Sequence, residues 1–130
     1  MRMKIIMKKG IVAEPDQNLY RSTVALAQAV VPTSDITYAL TGEELLRKVR
    51  DDNYSLVMVA CCVDGQQDGP DVVREIRQYD GTVPIYIFSV ELGSVEMETR
   101  RRAMEAGATG YLNHLKDATE FESLFKKYLE

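Results

Sequence analysis

Two cysteines, one histidine and no tryptophan stand among the 130 residues of this chain. Those scarcities exclude a good deal. The cysteines are adjacent, Cys61 and Cys62, and no further cysteine exists to build a disulfide framework or a thiolate metal site. With His114 as the only imidazole, a histidine-rich metal centre is excluded as well. No apolar run approaches the roughly 20 residues that span a bilayer. The apolar part of the N-terminal stretch is too short for a secretory signal, so a cytoplasmic location is the default expectation. Basic residues are the minority, 16 Lys plus Arg against 20 Asp plus Glu, and a net charge of −4 argues against a nucleic-acid or anionic-membrane footprint.

What is present is a folding core. Hydrophobic residues make up 45% and charged residues 28%, the balance of a globular domain, and the length suits a single domain over residues 1–130. Strand and helix signals alternate from end to end, the pattern of a parallel sheet covered on both faces. Residues 10–13, 36–40, 56–63, 84–88 and 109–112 read as strands. Between them, Asp16 precedes a stripe of Leu19, Thr23, Leu26, Ala27 and Val30, with Pro32 as its stop. Thr41 and Glu44 have the spacing of a capping box ahead of Leu45, Leu46 and Val49. Asp68 is a cap with Pro70 in the first turn, ahead of Val72, Val73 and Ile76. Ser94 starts a weakly amphipathic helix with Val95, Met97, Ala103 and Met104 as its main apolar members, ending near Gly107. Asp117 and Glu120 box a last helix bearing Phe121, Leu124, Phe125 and Tyr128.

The segment over residues 54–77 is the most informative. An apolar strand runs into a polar, glycine-rich loop and then a capped helix. It resembles the third strand, loop and third helix of the receiver domain of two-component response regulators. Ala39-Leu40-Thr41-Gly42-Glu43-Glu44-Leu45 is similar to that family's second strand entering its second helix. Glu105-Ala106-Gly107-Ala108-Thr109-Gly110-Tyr111-Leu112 is similar to its link into the fifth strand. The resemblance implies a flavodoxin-like, doubly wound α/β fold with a five-stranded parallel sheet of order 2-1-3-4-5.

It also implies a phosphorylation site, and here the chain departs from the family. Laid on the third strand, Ala60 takes the place of the phospho-accepting aspartate; counted back from Asp68-Gly69, Cys61 does, because the loop is one residue longer. The acidic pair that holds Mg²⁺ in the family falls on Glu14 and Pro15, and the conserved lysine on His114. Ser89 matches the hydroxyl that contacts the phosphoryl group, and Tyr111 the aromatic switch residue. A site with one carboxylate of three is expected to hold Mg²⁺ weakly or not at all, so no cofactor is implied. Without a phosphoryl group, Ser89 is expected to bond to nearby backbone and Tyr111 to fill the edge of the core.

The expected role is phosphorylation-independent signalling by protein contact, with no enzymatic activity. Residues 1–130 are expected to carry no DNA-binding or catalytic output segment, so a histidine kinase, an output protein or a second copy of the chain is the expected kind of partner. Asp64, in the loop, offers a rival reading as a displaced acceptor. Cys61 and Cys62 read as small core residues, or more sharply as a redox or small-molecule sensor. Arg100, Arg101 and Arg102 read as a solvated face or as a docking patch for an acidic partner. The stretch Glu91-Leu92-Gly93-Ser94 is about three residues longer than the family norm, which would reshape that face.

Overall fold

The computed structural model describes residues 8–62 and 68–130. Its strands are β1 (Lys9–Ala13), β2 (Asp35–Ala39), β3 (Leu56–Ala60), β4 (Ile85–Ser89) and β5 (Gly110–Asn113). They alternate with α1 (Gln17–Val30), α2 (Gly42–Asp51), α3 (Gly69–Tyr79), α4 (Gly93–Ala106) and α5 (Ala118–Leu129). The sheet has the order β2-β1-β3-β4-β5 and every pairing is parallel. Parallel neighbours need crossover helices, which cover the sheet and explain why the central strand is buried along its whole length. Helix α1 packs beside α5, and α3 packs between α2 and α4. No helix among the described residues is long and apolar enough to cross a membrane.

The caps follow the local chemistry. The Asp16 carboxylate accepts from Asn18 N and Leu19 N, and the Asp68 carboxylate from Asp71 N at 3.0 Å. Thr41 Oγ1 accepts from Glu44 N, while the Glu44 carboxylate reaches back to Leu40 N, one residue before the cap. The expected box at Asp117 and Glu120 does not form. The Asp117 carboxylate turns back to accept from Asn113 N at 2.8 Å, fixing the turn after β5 instead.

Helix α4 differs most from expectation. Val95, Met97 and Met104 are exposed, and the buried face is Glu96, Thr99, Ala103 and Ala106. Buried polar groups find partners in this face, as described below, so hydropathy alone selects the wrong side. The loop from β4 to α4 is only Val90, Glu91 and Leu92; Gly93 and Ser94 already belong to the helix. Helix α4 ends on Gly107, whose φ of 103° is left-handed and favours glycine. Arg77 of α3 braces that end: its guanidinium donates to Gly107 O at 2.8 Å, to Asp80 O and to Thr109 Oγ1.

Candidate functional site

In an open α/β sheet, ligands bind past the carboxyl ends of the strands where the strand order reverses. Here that place lies beyond β1 and β3, and it holds a cleft of about 260 Å³. Glu14 follows β1, Cys61 and Cys62 follow β3, Phe88 and Ser89 end β4, Val90 and Glu91 begin the next loop, and His114 follows β5; all line the cleft, with Leu19 of α1. The five sequence candidates Glu14, Cys61, Cys62, Ser89 and His114 thus converge. Ala60 ends β3 and is 5% exposed in the hydrophobic core, whereas Cys61 lines the cleft beside Ser89 and His114. Pro15 is only partly exposed and presents no side-chain oxygen. Asp64 lies outside the described residues.

The expectation that both cysteines sit in the core fails. The strand stops at Ala60, Cys61 is half-buried and Cys62 is exposed. The reason is the entry to α3. Gly69 N donates to Cys61 O at 2.9 Å, and a Cβ at Gly69 would stand 2.4 Å from Ala60 O, so the helix start is pressed against the strand end and the chain bends away. Burial, the neighbouring Cys62 and the Glu91 carboxylate push the Cys61 thiol well above its ordinary value.

His114 is partly exposed, but its ring is packed between aromatic side chains. Its ring lies 4.9 Å from Phe88, edge-on, and is stacked on Phe121 at 4.9 Å. Nε2 is buried without a hydrogen-bond partner. Burial depresses its pKa below the ordinary 6.5. The folded protein therefore favours the neutral ring, while the unfolded chain takes up a proton near the ordinary value. Folding stability should fall as pH drops through that value and level off below the folded pKa. His114→Leu should remove this dependence in denaturant titrations between neutral and mildly acidic pH. A ring titrating at or above the ordinary value by NMR would contradict the burial argument.

Ser89 and Tyr111 meet directly, hydroxyl to hydroxyl, rather than serving backbone alone. Tyr111 is 8% exposed and turned inward. Behind it runs a polar network that sequence patterning misses. The Glu96 carboxylate of α4 accepts from Asn113 Nδ2 at 2.7 Å and from Tyr111 at 3.5 Å, and pairs with Lys116. Lys116 holds the Glu96 pKa below the ordinary carboxylate range. Asn113 Nδ2 also donates to Glu91 O at 2.6 Å, and Thr99 Oγ1 donates to the Glu91 carboxylate at 2.6 Å. The only sequence signal for this network was charge on the inner face of α4, which reads as solvated until the helix is docked.

The three arginines do not share one direction. The Arg100 guanidinium covers the Tyr111 ring at 4.9 Å. Arg101 pairs along its own helix with Glu98 and Glu105, and Arg102 reaches across to Asp68 at the start of α3.

The fold is that of a receiver domain. The chain matches the response regulator receiver domain over residues 11–126 and belongs to that family. Several solved structures share the fold at low sequence identity. A putative response regulator from Chloroflexus aurantiacus superposes with a TM-score of 0.82 at 18% identity, covering 95% of this chain and 98% of that one. The receiver domain of the sensor histidine kinase PA1611 from Pseudomonas aeruginosa, with a magnesium ion coordinated in its active-site cleft, gives 0.80 at 17%, covering 95% and 98%. The Francisella response regulator 1452 receiver domain gives 0.78 at 19%, covering 94% and 96%. No curated protein matches the chain significantly.

Proposed function

We propose that this receiver domain signals through protein contact without accepting a phosphoryl group. The observation that carries the reading is the make-up of the cleft. Phosphoryl transfer needs a carboxylate nucleophile and cations to neutralise the charge that develops on the transferred group. Here the strand end offers a methyl at Ala60 and a protonated thiol at Cys61, and the side chain after β5 is a neutral imidazole rather than an ammonium.

Mg²⁺ does not fit the same residues. It demands several oxygen ligands and retains water reluctantly exchanged. Pro15 and Ala60 have no side-chain oxygen to give, and one Glu14 carboxylate oxygen already accepts from Asp16 N. Among the described residues no three His, Cys, Asp or Glu are grouped as ion ligands.

The output surface is then set by contacts within the domain. Tyr111 is held inward by Ser89 and Glu96 and roofed by Arg100, and Lys116 fastens α4 to the turn after β5. A partner would read that surface as a fixed shape. Its identity, whether a kinase, an output protein or a second copy, is open to pull-down and sedimentation measurements.

Incubation with acetyl phosphate and Mg²⁺ should leave the intact mass unchanged. A phosphoryl adduct mapped to Asp64 would sink this reading and establish the displaced-acceptor alternative.

A further inference from the structure

Adjacent residues in a strand point to opposite faces, so neighbouring cysteines normally hold their sulfurs apart. Cys61 and Cys62 do not. The bend after β3 turns both side chains into one cleft, with Sγ to Sγ at 3.7 Å and neither thiol in a disulfide. A direct S–S bond suits this pair poorly. It would draw the sulfurs to about 2.05 Å, between Cα atoms that a trans peptide holds about 3.8 Å apart, closer than the roughly 4.4–6.8 Å that disulfides use. One bridging atom suits it better, since two bonds of about 2.3 Å meeting near a tetrahedral angle span about 3.7 Å.

The surroundings narrow the choice of bridging atom. A tetrahedral metal ion would find two thiolates and no organised third protein ligand among the described residues. A centre whose valence is completed by two sulfurs and one organic group has no such need. Apolar side chains of Leu19, Phe88 and Val90 line the cleft beside the thiols. Its volume of about 260 Å³ exceeds the ~150 Å³ cavity that admits benzene in an apolar protein interior. Among the described residues the lining has carboxylates at Glu14 and Glu91 and no lysine or arginine, which disfavours an anionic ligand.

We propose that Cys61 and Cys62 form a chelating site for a mono-organo trivalent arsenical, with its apolar substituent seated against Leu19, Phe88 and Val90. The step is a condensation without redox change. Two S–H bonds break and two As–S bonds form. The arsenic of an R–As=O group loses its oxygen, which leaves with the two thiol protons as one water. Exposed Cys62 is the point of entry, and half-buried Cys61 closes the ring. Closure places the adduct against Glu91, whose carboxylate and carbonyl are held by Thr99 and Asn113, so loading would be felt by the loop that leads into α4.

Phenylarsine oxide is the probe. The folded chain should gain one phenylarsenic group in place of two hydrogens by intact mass. The adduct should resist a monothiol and be removed by 2,3-dimercaptopropanol. Cys61→Ser and Cys62→Ser should each abolish the monothiol-resistant adduct; the second change is at an exposed position and leaves folding intact, which its circular dichroism would check. Inorganic arsenite should bind at least tenfold more weakly than the phenyl compound. No adduct on the folded chain, an adduct stripped by monothiol, or one that survives in Cys62→Ser would overturn the chelate. Equal binding of arsenite would overturn the apolar subsite. None of these outcomes depends on whether the chain takes up phosphate, which acetyl phosphate labelling reports separately.

Discussion

An aspartate introduced at position 60 should cost about 3–5 kcal/mol of folding stability, the scale of an uncompensated buried charge. Ala60 is 5% exposed and packed in the core, and among the described residues the neighbouring cleft is lined by no lysine or arginine. The same residue introduced at position 61 should cost much less, because that side chain already lines the cleft and reaches solvent beside exposed Cys62. Urea denaturation of Ala60→Asp and Cys61→Asp side by side measures the contrast. Equal losses would mean that the two positions are equally buried and that the cleft is not where Cys61 resides. The pair of variants also chooses between the two ways of laying this chain on its family. A chain carrying Cys61→Asp, Pro15→Asp and His114→Lys should accept a phosphoryl group from acetyl phosphate, whereas the matching chain with aspartate at 60 should not.

Phe121→Ala should be equally damaging and more informative. Phe121 is 3% exposed and lies face to face with His114, which Phe88 meets from another side. Deleting a buried phenylalanine ring typically costs about 3–5 kcal/mol through lost transfer energy and the cavity left behind. Here it should also open His114 to water, and the ring pKa should rise toward its ordinary value. Chemical denaturation gives the first quantity and NMR titration of the single histidine gives the second. A large stability loss with no movement of the histidine titration would show that Phe88 and the strand ends, not Phe121, keep the ring dry.

The fold was legible because its signals are local and redundant. Asp16, Thr41 and Asp68 each announce a helix start by a side chain that caps it, and residues 56–60 announce a doubly covered strand by unbroken apolarity. Convergence of Glu14, Cys61, Ser89 and His114 was legible through the family's strand-end positions. The rest depended on contacts between residues distant in sequence. Glu96 reads as a solvated carboxylate until Asn113 and Lys116, seventeen and twenty residues on, close around it. The stacking of His114 on Phe121 has no local signal, because the two residues meet only when α5 docks. Asp117 reads as a helix cap because nothing local reveals that its carboxylate serves Asn113 N. The arginine run reads as one patch only if the helix is ignored, since consecutive helical residues point in different directions, and which neighbour each meets is fixed when the helix docks.

Helices α3 and α4 are fastened to each other at two separated points. Arg102 reaches from α4 to the Asp68 cap of α3, and Arg77 reaches from the last turn of α3 to the Gly107 carbonyl and Thr109 beyond α4. Two such ties act against shear. Sliding one helix past the other by a turn, about 5.4 Å, would break both guanidinium contacts and leave the Gly107 carbonyl without its donor. Small rotations that keep both ties intact remain open. Mechanical coupling along this side of the molecule is therefore that of a single plate, itself pinned to the end of β5 through Glu96.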